Sequence, residues 1–196
     1  MKRKLIILCC VGMLTIIMLS KTNNAYAIEG LKGNWSLGIY AALNNSTVET
    51  LGSDTYESNS TIVNASLGYF LTDHVELNFS PTMARNKTES FEMSFNNYFG
   101  NVKYNFYGSN WQAVPYIGLQ GGVTKIDLKY EDENPDNSVS YDDTSYSFGF
   151  MGGIKVFLTE NLSLDVEYNW LWSPDIIADL TMSTVFVGFK WYFGGN

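Results

Sequence analysis

The sequence predicts an all-β fold: an eight-stranded antiparallel up-and-down transmembrane β-barrel. Eight stretches alternate apolar and polar residues with the two-residue period of a strand, and no stretch holds a helical period. The eight stretches are about 34–43, 61–70, 75–84, 93–106, 115–124, 144–157, 162–172 and 182–193. An even number of strands, with tight turns at one end and longer polar loops at the other, is the plan of a closed membrane barrel.

Residues 1–27, which precede the first strand, are predicted to be a secretory signal peptide. Basic residues at positions 2–4 come before an apolar run over residues 5–19, and Ala25-Tyr26-Ala27 fits a small-x-small cleavage site. The apolar run is short for a membrane-anchoring helix. We therefore expect residues 28–196 to form one barrel domain.

The predicted domain is acidic and contains no cysteine. The signal segment holds four of the 12 Lys and Arg residues, which leaves eight against 20 Asp and Glu, a net charge of −12. This charge disfavours binding to the phosphates of nucleic acid. Without cysteine the domain has neither a disulfide nor a thiol nucleophile, and no motif indicates a cofactor.

The strands have one apolar, uncharged face and one face rich in Gly, Ser and Asn. A water-facing surface is normally rich in long charged side chains of both signs, whereas the interior of a narrow barrel requires small residues. We therefore expect the apolar face to contact lipid and the polar face to line the lumen. The alternative is a soluble lipocalin-like carrier, in which the two faces exchange roles.

Six charged residues interrupt the polar face in balanced numbers: Glu76, Lys103, Lys155, Asp165, Glu167 and Lys190. A buried ion is costly unless it is paired. Opposed residues of an antiparallel hairpin share one midpoint, and the pairs Glu76–Lys103, Lys155–Asp165 and Glu167–Lys190 have midpoints inside the connections 85–92, 158–161 and 173–181. We expect these pairs to be lumen salt bridges that plug the bore of an eight-stranded barrel.

Aromatic residues near the strand ends suit the girdles that membrane barrels place at the two lipid interfaces. They are Tyr69, Phe79, Phe106, Trp111, Phe157, Trp170, Trp172, Trp191 and Phe193.

Three segments resemble strands of small bacterial outer-membrane barrels of the OmpX/OmpA-like group. They are VPYIGLQGG (114–122), the hairpin GIKVFLTENLSLDVEY (153–168) and the closing strand VFVGFKWYF (185–193). The resemblance covers essentially all of residues 28–196. It implies a location in the bacterial outer membrane, contact with lipid and lipopolysaccharide, and an assembly signal at Trp191 and Phe193 that the barrel-assembly machinery reads. We also expect a monomer.

The single histidine gives little support for an enzyme. Some barrels that resemble this one modify lipid A with a histidine near the outer leaflet, but His74 falls in a short turn at the opposite end. No other residue offers a comparable general base. We therefore expect no enzymatic activity.

An acidic connection partly matches a calcium-binding loop. Asp132, Asn134 and Asp136 take positions 1, 3 and 5, and Asp143 takes position 12. The usual glycine is replaced by asparagine, and the flanks are predicted strands where a calcium loop has helices. We expect a solvated acidic loop, with weak divalent-cation binding as the alternative.

These expectations favour a structural or surface-interaction role, in membrane integrity, adhesion or binding. Loops carry function on a rigid scaffold, and the two longest predicted loops are 44–60 and 125–143. The alternative function is a narrow channel or small-solute carrier, which would require the lumen pairs to open.

Overall fold

The computed structural model describes residues 30–49, 55–87, 91–107, 112–130, 139–174 and 180–194, which form one closed barrel of eight strands. The strands are β1 (Trp35–Glu49), β2 (Thr55–Phe70), β3 (Val75–Lys87), β4 (Phe91–Asn105), β5 (Ala113–Tyr130), β6 (Val139–Thr159), β7 (Leu162–Ser173) and β8 (Leu180–Phe193). Each strand pairs antiparallel with the next, and β8 pairs with β1. The predicted fold class is confirmed. Over the same ranges, no helix has the length and apolar character needed to cross a membrane.

The side chains of β8 show how the alternating sequence builds this wall. Lys190 and Tyr192 point into the barrel and are at most 1% exposed, whereas Phe189 and Trp191 between them are 56% and 61% exposed. The other strands repeat the pattern, because successive side chains of a strand leave opposite faces. The exposed surface of the barrel is therefore apolar, which is the arrangement of a barrel surrounded by lipid.

We divide the barrel into two halves by its ends. The terminal half lies near Trp35 and Phe193, and at its end the connections 71–74, 106–112 and 160–161 join the strands. The distal half lies at the other end, where the connections 50–54, 88–90, 131–138 and 174–179 join the strands.

The first hairpin extends farther into the distal half than the sequence predicted. β1 and β2 stay in register as far as the pair Glu49–Thr55, so the predicted loop 44–60 is mostly strand and only 50–54 lies between the strands. The prediction was wrong because Asn, Ser and Thr residues end the apolar alternation in this stretch. A ladder of backbone hydrogen bonds does not require that alternation once it leaves the lipid.

The third hairpin shows the same difference. β5 and β6 are paired as far as Tyr130 and Val139, so the predicted loop 125–143 is reduced to residues 131–138. Asp143 lies on β6 opposite Ile126, and it accepts hydrogen bonds from its neighbours Tyr141 Oη (3.2 Å) and Thr144 N (2.7 Å). It is therefore not part of a loop. The other residues of the predicted calcium loop, Asp132, Asn134 and Asp136, lie outside the described residues, as does Trp111.

The closure between β1 and β8 is limited to the terminal half. These strands pair from Trp35–Phe193 to Ala41–Val187. Beyond that rung β1 continues to pair with β2, and β8 continues to pair with β7, but the described parts of β1 and β8 no longer pair with each other. We call the unpaired stretches, residues 42–49 of β1 and 180–186 of β8, the seam.

Candidate functional site in the barrel lumen

The six charged residues that the sequence singled out all lie inside the barrel. They come from β3, β4, β6, β7 and β8, and each is at most 8% exposed. Each occupies an inward position in its strand's alternation, so the periodicity that makes the outer wall apolar also brings these charges together. The result is a neutral cluster of three carboxylates and three lysines.

Glu76 is the centre of this cluster. Its Oε2 lies 2.7 Å from Lys155 Nζ and its Oε1 lies 2.6 Å from Lys190 Nζ, and all three side chains are completely buried. Ser36 Oγ also donates to Oε1 at 2.8 Å. Asn78 Nδ2 donates to the same oxygen at 3.4 Å. Two ammonium groups, one hydroxyl and one amide thus bind one carboxylate and satisfy both of its oxygens. We call these three charged residues the Glu76 hub.

A second ion pair joins β4 to β7 across the lumen. Lys103 Nζ lies 2.5 Å from Glu167 Oε2. Tyr116 Oη donates to the same oxygen at 2.7 Å, and Asn169 Nδ2 donates to Oε1 at 2.8 Å. The ammonium group also lies 5.0 Å from the centre of the Tyr116 ring, a cation–π distance.

Asp165 is bound by hydroxyl groups. Its Oδ2 accepts from Tyr40 Oη at 3.1 Å, and its Oδ1 accepts from Ser163 Oγ. Among the described residues no lysine forms a salt bridge with it. Its negative charge offsets the second lysine that the Glu76 hub holds, so the cluster as a whole carries no net charge.

The register agrees with two of the predicted ion pairs, but the contacts differ. Glu76 is opposite Lys103, and Lys155 is opposite Asp165, as their midpoints predicted. However, Lys155 binds Glu76, which lies on a strand that is not adjacent to its own. The reason is that a lysine side chain can cross a narrow lumen, so its partner need not be on the neighbouring strand.

The third predicted pair, Glu167 with Lys190, is wrong. Glu167 is opposite Phe186, and Lys190 is opposite Ser163. The centre of the connection between β7 and β8 therefore lies closer to β7 along the chain than the midpoint of the predicted pair. Lys190 binds Glu76, and Glu167 binds Lys103.

An apolar cap closes the terminal end of the lumen below the ion cluster. Its residues are each at most 1% exposed: Leu31, Phe70, Val114, Phe157 and Tyr192. Tyr107 packs against them, and burial raises the pKa of its hydroxyl above the ordinary value, so this group stays neutral. Phe157 was predicted to be a girdle residue, but its side chain points into the barrel and is buried. The register between β6 and β7 shifts directly after this residue.

Leu31 was missed by sequence reasoning because it precedes the first strand. Its carbonyl oxygen accepts from Asn34 N at 2.9 Å, and Gly33, which has φ of 84°, lets the chain turn there. Gly33 N also donates to Phe70 O at 2.9 Å. This turn folds the segment before β1 across the mouth of the barrel. An isolated apolar residue beside two glycines was the available signal.

The distal half contains a cavity of about 40 Å³ above the ion cluster. Its wall combines uncharged polar side chains, apolar side chains and one acid, Glu167, which Lys103 already binds. The lining residues are Ile62, Asn64, Ser80, Thr82, Ala84, Asn97, Phe99, Gln120, Met151, Glu167, Asn169, Leu171, Met182, Thr184 and Phe186.

The remaining candidate residues lie away from this cavity. His74 is in the turn between β2 and β3, where its Nδ1 lies 3.0 Å from Asn105 O and its ring stacks on Tyr104. Trp191 and Phe193 face outward at the end of β8 and are 61% and 47% exposed. Within the described ranges, no three His, Cys, Asp or Glu residues form a group that could hold a metal ion.

A closed eight-stranded barrel with an apolar outer face is consistent with what sequence comparison finds. Residues 11–193 match the family model described as "Outer membrane protein beta-barrel domain". The chain belongs to this family. The protein is therefore located in the bacterial outer membrane, and its predicted resemblance to small outer-membrane barrels is confirmed. No curated protein sequence matches the chain significantly.

Several solved structures share the fold at low sequence identity. Neisserial surface protein A (NspA) has a TM-score of 0.63 and 18% identity, over 84% of this chain and 100% of that one. Ail, the attachment invasion locus protein of Yersinia pestis, has a TM-score of 0.56 and 20% identity, over 83% and 99%. OprG from Pseudomonas aeruginosa has a TM-score of 0.57 and 14% identity, over 84% and 97%. At these identities the likeness shows the fold.

Proposed function

We propose that this protein is a closed, non-conducting outer-membrane barrel that serves membrane integrity and surface interaction. The Glu76 hub carries the proposal, because three completely buried charged groups cross the lumen and bind one another at 2.6–2.7 Å. An ion that passed through would have to separate them. Breaking a buried pair leaves an uncompensated charge, which costs about 3–5 kcal/mol.

The apolar cap supports closure by a second, independent element. A hydrated ion that reached the terminal end would meet Leu31, Phe70 and Phe157 with no free polar partner on these side chains. Two unlike elements, one ionic and one apolar, therefore obstruct the same half of the barrel. A narrow channel would require both of them to move.

The orientation that we propose places the terminal half toward the periplasm and the distal strands toward the cell exterior. Trp191 and Phe193 then lie at the periplasmic end of the closing strand, where we propose that the assembly machinery reads them. The apolar outer wall contacts membrane lipid. We propose a monomer, because the single chain closes its own sheet and leaves no edge in the terminal half.

The surface role rests on the distal extensions of the strands. The β5–β6 ladder is the longest in the barrel, and Tyr146 on its outer face is 80% exposed. Lys125 and Arg85 have side chains that are 48% and 67% exposed in the same half, where they form salt bridges with Asp127 at 3.8 Å and with Glu92 at 2.6 Å. A phosphate of lipopolysaccharide would have to share these cations with the two carboxylates. The name of Ail, the attachment invasion locus protein, records such a surface role for a protein of similar fold.

Conductance in planar lipid bilayers tests closure directly. We expect purified barrel to insert without producing discrete current steps. The control is a variant that breaks the exposed ion pair, Arg85→Gln with Glu92→Gln. Like the unmodified protein, it should produce no discrete current steps. Regular openings of the unmodified protein would contradict the proposal and favour the channel.

Adhesion of bacteria that display the barrel tests the surface role. Shortening the β5–β6 hairpin should reduce attachment to host cells, and shortening the β3–β4 hairpin by the same number of residues provides the matched control. Equal attachment by all three strains would contradict a role for the longer hairpin.

Mass spectra of lipid A from cells with and without the gene test the inference that the protein is not an enzyme. This inference predicts identical spectra.

A further inference from the structure

The seam between β1 and β8 is a stretch of the barrel wall in which the described parts of the two strands do not pair with each other. Pairing ends at Ala41–Val187, although both strands continue and remain paired on their other sides. Among the described residues, none of β1 pairs with residues 180–186 of β8. Seven residues of strand span about 23 Å, so the unpaired stretch is a large part of the wall.

The distal cavity lies against the inner side of the seam. Met182, Thr184 and Phe186, the inward residues on the unpaired stretch of β8, all line the cavity. On the other side of the seam, Ala42 packs in an apolar cluster with Phe186 and Ile62. The first unpaired residue of each strand, Ala42 or Phe186, thus lies at the inner margin of the seam, and Phe186 also forms part of the cavity wall.

The apolar outer surface of β8 ends within the seam. Val187 and Val185 of β8 are 48% and 41% exposed, and the next outward positions are the exposed polar residues Ser183 and Thr181. Unpaired backbone groups are not tolerated in the hydrocarbon of a bilayer, but water can satisfy them at the interface. The seam therefore lies at the lipid–water boundary, where molecules that have one polar and one apolar end concentrate.

The cavity wall specifies the chemistry of a ligand. Seven lining side chains are uncharged and polar, seven are apolar, and Glu167 is neutralised by Lys103. An ion would find no free counter-charge, and a purely apolar molecule would bury hydroxyl and amide groups without partners. A volume of about 40 Å³ corresponds to about three water molecules, so the ligand is limited to a few non-hydrogen atoms.

We propose that the seam admits small uncharged amphiphilic molecules from the membrane interface into the distal cavity, which binds them. The ligand's polar end would contact the amide and hydroxyl side chains, and its short chain would lie against Met151, Leu171 and Phe186. The ion cluster forms the floor of the cavity, so a bound molecule returns by the seam and does not cross the barrel. This binding is compatible with a lumen that conducts no ions.

Methionine methyl NMR of the folded barrel in lipid nanodiscs tests the binding site, with 1-butanol as the probe. Met151 and Met182 line the cavity, whereas Met83 is 60% exposed on the outer wall. We expect the Met151 and Met182 signals to shift along a saturating curve while Met83 shifts linearly with the alcohol dissolved in lipid. Linear shifts at all three positions would overturn the site.

A cross-link across the seam tests the route. The pair Leu43→Cys with Val185→Cys lies two residues beyond the last rung, and the pair Ile39→Cys with Phe189→Cys lies on a closed rung. The predicted domain has no native cysteine, so a short bis-maleimide reagent can join either pair. We expect the first link to slow butanol exchange at Met182 at least tenfold and the second to leave it unchanged. Unchanged exchange with the first link would overturn lateral entrance.

Discussion

The terminal and distal halves of the lumen are built from different chemistry on the same eight strands. In the terminal half, charged side chains and an apolar cap fill the bore, and β1 pairs with β8. In the distal half, neutral amide and hydroxyl groups surround a cavity beside the unpaired seam. Strand pairing and interior filling thus change together along the barrel axis.

This difference has a physical reason. Within the lipid every backbone group requires a protein partner, so the wall must be closed. Beyond the lipid, water can satisfy both the backbone and the interior polar groups. A barrel can therefore concentrate its stability in one half and leave the other half adaptable.

The largest effect is expected at the centre of the ion cluster. Glu76→Ala removes the carboxylate that binds Lys155 and Lys190 and leaves two buried ammonium groups without their closest partner. We expect the free energy of unfolding, measured by urea titration in lipid vesicles, to fall by about 3–5 kcal/mol. Glu160→Ala, in the exposed turn before β7, is the control and should change it little. Equal midpoints for the two variants would show that the hub is not a stabilising element.

The apolar cap should give the next largest effect. Leu31→Ala removes a side chain that is 1% exposed, whereas Leu71→Ala shortens one that is 45% exposed at the same end of the barrel. A buried Leu→Ala substitution costs about 2–5 kcal/mol, and the exposed one should cost much less. Urea titration of both variants measures the difference. If Leu71→Ala were the more damaging, the cap would not be packed as described.

Glycines on the inner and outer faces provide a third comparison. A Cβ atom at Gly153 would collide with Val166 O and crowd the Tyr116 hydroxyl, whereas at Gly100 its nearest contact would be Gly121 O at 3.9 Å. We expect Gly153→Ala to destabilise the barrel by about 1–3 kcal/mol because it overpacks the lumen. Gly100→Ala should be nearly neutral. The temperature at which each variant loses its folded mobility in SDS gels ranks them, and equal temperatures would contradict a crowded lumen.

The smallest effects are expected from hydroxyl groups. Ser163→Ala removes a donor to buried Asp165 and should cost about 1–3 kcal/mol. Thr184→Val replaces a hydroxyl that lines the cavity with a methyl group of similar shape, so we expect a cost below about 1 kcal/mol. Thermal unfolding of both variants in the same lipid checks the order. The reverse order would mean that the distal wall is the more tightly constrained one.

The sequence predicted the barrel because alternation is a local property of each strand. The register of Glu76 with Lys103 and of Lys155 with Asp165 was also predictable, since it depends only on the position of a turn. The actual partners of Lys155 and Lys190 were not predictable. They depend on which strands face each other across the bore, and the sequence of a single hairpin does not determine that arrangement.

Two other features required the folded barrel. The cap depends on Leu31, which belongs to no strand and becomes part of the interior only when the terminal end closes. The seam depends on where β1 and β8 stop pairing, and neither strand's sequence changes character at Ala41 or Val187. Distal strand ends were placed too early for a related reason: beyond the lipid, a strand can continue without apolar residues.

Amide hydrogen exchange along β8, followed by NMR in lipid nanodiscs, tests most directly the claim that the barrel is closed in one half and open in the other. We expect continuous protection over the rungs from Val187 to Phe193. Over residues 180–186, we expect exchange at least a hundredfold faster at the alternate amides that would face β1. Uniform protection along the whole strand would contradict the claim, because it would mean that β1 and β8 are joined throughout.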